Sequence, residues 1–185
     1  MMQELSMNIL DVTENSVEAG ASLVSICIDE QPEKDILTVT ITDNGRGMTP
    51  EQVKNVTDPF YTTRSTRKVG LGVPFFKMAA ELTGGKLDIQ STPGVGTHLS
   101  ASFGLSSVDL MPLGNINETI CTLIQCNPHI DFIYTRRLKD AEMTLDTREF
   151  RRILDGVELS DPQVSKFIRE FLTENTSDLL AGHET

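Results

Sequence analysis

Apolar positions near the start of the chain recur at three- and four-residue steps. Leu5, Ile9, Val12, Ser16 and Ala19 share one face, which predicts a helix over roughly residues 3–19, and Gly20 supplies a C-terminal stop. From Ser22 to Asp29 the pattern changes to alternation, with Leu23, Ser25 and Cys27 set against Val24, Ile26 and Ile28, and predicts a strand. Ile36 to Thr42 is a second β-branched strand, separated from the first by the turn residues Gln31-Pro-Glu-Lys-Asp35. Thr49-Pro-Glu-Gln52 combines a capping threonine, proline at the first helical position and a reciprocal glutamine, so a short helix should come next. An irregular stretch, Asp58 to Lys68, leads to a helix over Val73 to Leu82, closed by Gly84-Gly85. Lys86 to Ser91 and Thr97 to Phe103 read as strands joined by a Pro-Gly-Val-Gly turn. The order helix, two strands, helix, loop, helix, two strands predicts an α+β fold. It is a two-layer α/β sandwich with helices on one face of a largely antiparallel sheet.

Past Leu105 the texture changes, and a boundary is expected near 105–115. Residues 1–106 would form the main domain and residues 107–185 a small C-terminal α/β extension. In the extension, Asn117 to Gln125 reads as a helix, Asp131 to Arg137 as a strand and Thr147 to Leu154 as a short helix. Ser160-Asp-Pro-Gln163 reads as another capping box, opening an amphipathic helix with Val164, Phe167, Ile168, Phe171 and Leu172 on its apolar stripe. That stripe must bury against the rest of the chain or against another one.

Charge narrows the partners. The formal net charge of −11 opposes a nucleic-acid backbone or an anionic lipid surface, so neither nucleic acid nor membrane is expected as a partner. No apolar run is long enough to span a bilayer, and the N-terminus lacks the pattern of a secretory signal. Three cysteines, Cys27, Cys121 and Cys126, are too few and too odd for a disulfide framework, which favours the reducing cytoplasm. A small anionic ligand remains compatible with the charge, because backbone amides, helix N-termini and a divalent cation can hold it locally.

The polar positions then suggest chemistry. On the first helix, Glu4, Asn8, Asp11, Asn15 and Glu18 form a stripe opposite the Leu5/Ile9/Val12 face. Such a stripe is ordinarily a solvated face, but its hard oxygen donors also suit Mg²⁺, which keeps several waters beside the phosphates it bridges. Asp11, one turn before Asn15, would be placed to orient or deprotonate an attacking group. Asp43-Asn-Gly-Arg-Gly47 comes after a strand; Asn-Gly favours a hairpin, yet a helix start succeeds it instead of a second strand. A carboxylate ahead of flexible glycines suits a flat heterocycle carrying an exocyclic amine. Gly70-Leu71-Gly72 opens a helix, where amides and dipole favour an anion. Neither a Walker P-loop nor a three-glycine dinucleotide fingerprint is present.

Taken in order, these segments resemble the motifs of the GHKL superfamily, which includes gyrase, heat-shock chaperone, histidine kinase and mismatch-repair ATPases. Asp11 to Ala21 looks like the N box, Asp43-x-Gly-x-Gly47 the G1 box and Asp58-Pro-Phe-Tyr-Thr-Thr63 the F box of histidine kinases. Val69-Gly-Leu-Gly-Val73 is similar to the G2 box, and Gly94-Val-Gly-Thr97 to the last glycine-threonine element. The match covers about residues 4–104, and Thr83 through Phe103 is especially kinase-like. It implies a Bergerat-type ATP site. Asn15 would hold Mg²⁺, Asp43 would receive the adenine amine with Thr97 nearby, and Gly45 and Gly47 would flank the base. Gly70, Leu71 and Gly72 would line the phosphates, with Arg64, Arg67 and Lys68 in the lid region.

Some positions depart from the family pattern. Asp11 stands where many members carry the longer glutamate, Pro74 takes a place usually held by a small residue, and the segment from Gly47 to Gly70 is short. The match opens within a few residues of Met1, with no helical hairpin ahead of it, so a phosphoacceptor is expected in trans. His98, His129 and His183 lie outside any phosphoacceptor context, and Cys121-x4-Cys126-x2-His129 lacks an evident fourth metal ligand. Arg148, Arg151 and Arg152 form a small basic face, more often solvated than functional.

The functional expectation is an ATP-binding protein of the histidine-kinase or anti-sigma-kinase type. It would bind Mg-ATP and phosphorylate or regulate a protein partner in trans. The alternative is a nucleotide-responsive regulatory module with little or no catalysis, and whether the chain is an enzyme stays open. So does assembly, a homodimer included.

Overall fold

Helix α1 (Leu5–Glu18) delivers the chain to the open end of a sheet; the computed structural model describes residues 4–58 and 71–182. Strand β1 (Leu23–Gln31) turns through a short 3-10 segment at Pro32–Lys34 into β2 (Ile36–Asp43), and the two pair antiparallel, with Ile26 opposite Ile41. Helix α2 (Pro50–Asn55) starts on the predicted capping box: the Thr49 hydroxyl accepts from the Gln52 amide, and the Gln52 side chain accepts from the Thr49 amide. Helix α3 (Gly72–Leu82) leads into the hairpin β3 (Lys86–Thr92) and β4 (Gly96–Gly104), and β4 pairs antiparallel with β2.

After residue 105 the chain does not leave this sheet. Helix α4 (Ile116–Cys126) carries it back to β5 (Asp131–Leu138), which lies parallel to β1 with Ile26 opposite Tyr134. A tight turn then gives β6 (Ala141–Asp146), antiparallel to β5. The result is a six-stranded sheet in the order β3-β4-β2-β1-β5-β6, continuous across the expected boundary. Helices α5 (Thr147–Leu154) and α6 (Pro162–Ala181) complete the chain. Strand β6 was not anticipated. Its buried positions are only Met143 and Leu145, too short a run to stand out from turn residues on either side.

Among the described residues, one face of the sheet is covered and the other is not, in keeping with period-two burial. Val24, Ile26, Ile28, Val39, Ile41, Leu99, Ala101, Phe103, Phe132 and Tyr134 are buried beneath the helices. Their neighbours on the other face are Ser25, Cys27, Thr40 and the exposed His98. Phe76 of α3 packs on Phe103 of β4 with ring centroids 5.5 Å apart. Full burial of each such side chain contributes about 1.5–3 kcal/mol.

The stripe of α6 also faces inward. Val164, Ile168 and Leu172 are buried, and Phe167 and Phe171 both meet Phe150 of α5 edge-on. Phe167 is only half covered, at 55% exposure. The start of α6 needs correction. The cap is Asp161, whose carboxylate accepts from the Gln163 amide, while the Ser160 hydroxyl turns back to Glu158. Proline at the first helical position fixes the preceding residue as the cap, and that residue is Asp161. Two of the three arginines on the basic face of α5 are engaged within the chain. Arg148 grips Asp146, holding that carboxyl below the ordinary aspartate range, and Arg151 binds Asp131 and the Pro128 carbonyl.

Candidate functional site

The end of the sheet where β2 stops and β4 begins carries the residues of interest. Asp43 is the last residue of β2 and stands directly opposite Thr97 on β4. Its carboxylate is fixed from both sides: the Ser16 hydroxyl of α1 donates to Oδ2 at 2.6 Å, and the Gly45 amide donates to Oδ1 at 2.8 Å. Two donors hold the group in one orientation while leaving lone pairs for a third.

Asn44 does not build a hairpin. Its side-chain oxygen accepts from the Ser22 and Leu23 amides, so it ties the end of β2 to the start of β1. The chain can then turn away at Gly45, whose space is closed by Ala19, towards Gly47. Gly47 has a φ of +66° and faces the Thr92 carbonyl so closely that a Cβ would collide with it. Arg46 is anchored by its own backbone, donating to the Ala19 carbonyl at 2.9 Å and accepting from the Gly94 amide at 2.7 Å. The loops around Gly20, Gly45 and Gly94 therefore meet at one place because their backbones bond one another.

Between α1, the end of β2, α2 and the start of β4 lies a cavity of ≈ 160 Å³. Asn15, Ser16, Asp43, Gly47 and Thr97 contribute to its wall, together with Val12, Ile41, Val73 and Leu99. Apolar walls with a few placed polar groups are the ordinary design of a small-molecule pocket. The chemistry on offer is directional: a fixed carboxylate acceptor and a hydroxyl side by side, suited to the edge of a planar heterocycle.

Of the residues singled out from sequence, Asn15, Asp43, Gly47 and Thr97 share this cavity. Gly45 lies behind it and acts through its amide on Asp43. Asp11 is half-buried one turn earlier on α1, and its carboxylate rests against Gly72, the first residue of α3. Leu71 caps α3, its carbonyl accepting from the Phe75 amide. Gly70, the F-box residues after Asp58, Arg64, Arg67 and Lys68 lie outside the described residues, as does His183. The polar stripe of α1 is not a uniform solvated face: Glu18 is exposed, but Asn8 is 1% exposed and its Oδ1 has no hydrogen-bond partner among the described residues. An acidic cluster dense enough for a protein-only metal cage is absent among the described residues, and the Cys121, Cys126 and His129 spacing forms none either. A single amide oxygen at Asn15 beside the cavity fits Mg²⁺ only in the company of phosphate oxygens and water.

Sequence reasoning did not assign roles to Ser16, Ser91, Arg46 or Met48. Ser91 had a signal: it extends the inward-facing series Leu87 and Ile89 as a polar residue, and sits opposite Thr97 across the hairpin. Its Oγ accepts from the Met48 amide at 2.8 Å and lies 2.9 Å from Thr97 Oγ1.

Known proteins share both the sequence motifs and the shape. The sequence pattern described as "Histidine kinase-, DNA gyrase B-, and HSP90-like ATPase" matches residues 1–107. The sensor protein SrrB of Staphylococcus aureus (strain NCTC 8325 / PS 47) is 35% identical over 101 residues, covering 52% of this chain and 17% of SrrB. The chain spans less than a fifth of the length of the curated relatives it matches, 17% and 18%. Among solved structures, the Aquifex aeolicus MutL ATPase domain complexed with ADP overlays with a TM-score of 0.53 at 16% identity, covering 84% of this chain and 70% of that one. The N-terminal domain of a DNA repair protein gives the same TM-score at 13% identity, with 78% and 52% covered. At these identities the overlays speak to fold alone.

Proposed function

Because the chain belongs to the family of histidine kinase-, DNA gyrase B- and HSP90-like ATPases, we propose that its cavity binds Mg-ATP for use on a protein partner in trans. The observation that carries this reading is Asp43, held as a hydrogen-bond acceptor by Ser16 and Gly45 beside Thr97 in the wall of a partly apolar cavity. Asp43 receives the adenine amine, and Thr97 meets the adjoining ring nitrogen, directly or through water. Gly47 leaves room for the ring. Asn15 would hold Mg²⁺ through its side-chain oxygen, and the ion would offset the negative charge of the phosphates. Gly70, Leu71 and Gly72 lead the phosphates to the amino end of α3, where amides and dipole favour negative charge. Asp11, resting on Gly72, accepts a proton from an attacking hydroxyl as the γ-phosphoryl group leaves ADP for its acceptor. The acceptor side chain belongs to the partner, the similarity to sensor proteins supports a setting in signal transduction, and the sparse, odd set of cysteines favours the reducing cytoplasm.

A second reading draws on a different observation. The first turn of α1 is bonded to the segment ahead of α4: the Leu5 and Ser6 amides donate to the Pro112 and Leu113 carbonyls at 3.0 and 2.9 Å. A ligand gripping Asn15 and Ser16 at the other end of α1 would act on that segment. On this reading the protein is a nucleotide-responsive regulatory module, with transfer slow or incidental.

The test has two stages. Calorimetric titration should show Mg-ATP binding to the wild type, with affinity lowered about a hundredfold or more in Asp43→Asn, where a half-buried acceptor becomes mismatched. Wild-type and Asp43→Asn proteins binding ATP equally would overturn the site. Incubation of the protein with γ-labelled ATP and co-purifying proteins then separates the readings. A labelled partner supports transfer, whereas nucleotide-dependent hydrogen exchange at residues 112–116 without label supports the regulatory module.

A further inference from the structure

We propose that Ser91 is a positioning residue that fixes the hydroxyl of Thr97 as a donor into the cavity, and so makes the pocket sense the adenine ring nitrogen beside the amine. The inference rests on the nucleotide reading above. Ser91 lies on β3, opposite Thr97 in the β3–β4 ladder; Thr97 contributes to the cavity wall and Ser91 does not. Three polar atoms surround its Oγ: the Met48 amide nitrogen at 2.8 Å, the Gly96 carbonyl oxygen at 2.9 Å and Thr97 Oγ1 at 2.9 Å.

The hydrogens available dictate how these contacts can be used. The Met48 amide can only donate, so Ser91 Oγ accepts there. Ser91 owns one hydrogen and has two acceptors for it, the Gly96 carbonyl and Thr97 Oγ1. With the hydrogen on Gly96, Thr97 satisfies itself by donating back to Ser91, and it shows the cavity only lone pairs. With the hydrogen on Thr97, a one-way chain forms from Met48 N–H through Ser91 O–H to Thr97 O–H, and the last hydrogen points into the cavity. Hydroxyls in such a chain polarise one another, which strengthens the terminal donor.

Asp43 decides which arrangement a base will select. It stands opposite Thr97 and, already receiving Ser16 and Gly45, presents only acceptor capacity. An acceptor beside a donor matches an amine beside an unprotonated ring nitrogen, the edge of adenine. The reverse pair, a carbonyl beside a ring N–H, meets the Asp43 carboxylate with its oxygen. Ser91 therefore serves both states: it keeps Thr97 bonded when the pocket is empty and turns it outward when adenine arrives.

The experiment compares binding of ATP with 1-deaza-ATP, which keeps the amine but lacks the ring nitrogen, and uses 7-deaza-ATP as a control for the opposite edge. In the wild type, ATP should bind about tenfold more tightly than 1-deaza-ATP, the loss expected for one hydrogen bond. In Ser91→Ala this ratio should fall towards one while the 7-deaza-ATP ratio is unchanged, and Ser91→Thr, which retains a hydroxyl, should restore it. Thr97→Val should abolish the ratio, and the double variant Ser91→Ala/Thr97→Val should be no worse. Ser91→Cys serves in place of the alanine variant if that fails to fold, its thiol being a weak donor. A Ser91→Ala or Ser91→Cys protein that keeps the full wild-type ratio overturns the relay while leaving Asp43-dependent ATP binding intact. A wild type that binds no adenine nucleotide overturns the nucleotide reading and this inference together.

Discussion

At Gly72 a side chain has no room, although the position is helical. A Cβ there would strike the Asp11 carboxylate. Helix propensity alone would reward alanine over glycine by about 1 kcal/mol, so stability and site geometry pull apart at this residue. Gly72→Ala should retain the helical far-ultraviolet signal yet bind Mg-ATP at least about tenfold more weakly, because Asp11 and the start of α3 must separate. Adding Asp11→Ala should recover part of the binding without recovering transfer. Unchanged affinity in the single variant would show that the contact between α1 and α3 does not shape the site. The same scale explains what sequence left hidden. Asp43 stands out in the sequence as a carboxylate at a strand end before two glycines, whereas Ser16 and Ser91 make their contacts only with neighbours that the fold brings in, 27 and six residues away.

Element boundaries separate what local sequence decides from what tertiary packing decides. Apart from α2, which buries no residue and rests on its capping box, the described helices and strands up to residue 104 follow their periodicity closely, each with an apolar face of the right period. The start of α6 shows how two overlapping caps compete. Ser160 and Asp161 are both capping residues, and Pro162 at the first helical position settles the matter in favour of Asp161. Asp161→Ala should therefore lower stability by about 1 kcal/mol, and Ser160→Ala by less than about 0.5 kcal/mol, as read from denaturant midpoints. Equal effects would restore Ser160 to the cap. Strand β6 escaped notice for a different reason: with only Met143 and Leu145 buried, its place is set by pairing to β5 rather than by its own pattern.

At the scale of the whole molecule, the family match ends at residue 107, but the overlay with the MutL ATPase domain takes in 84% of the chain. The sheet explains the difference. Strand β5 lies against β1, so the segment expected as an appendage also closes the flank of the strand at the centre. A fragment of residues 1–107 would leave β1 as an edge and uncover Val24, Ile26 and Ile28 on one side. It should melt at a markedly lower temperature than the full chain and associate at micromolar concentration, which scanning calorimetry and light scattering would detect. A fragment as stable and monomeric as the full chain would make residues 107–185 a separable unit.

That parallel pairing also bears on how the protein is made. From Leu23 to Glu30, each β1 residue waits for a partner more than a hundred positions later in the chain, as Ile26 waits for Tyr134. Such remote closure is entropically slow, and a ribosome adding about 5–20 residues per second leaves the flank of β1 bare for several seconds. The nascent chain therefore passes through a stage in which the cavity has all its described walls while the sheet still has a sticky edge. Early capture of a ligand, or shelter by a chaperone, would count most in that interval.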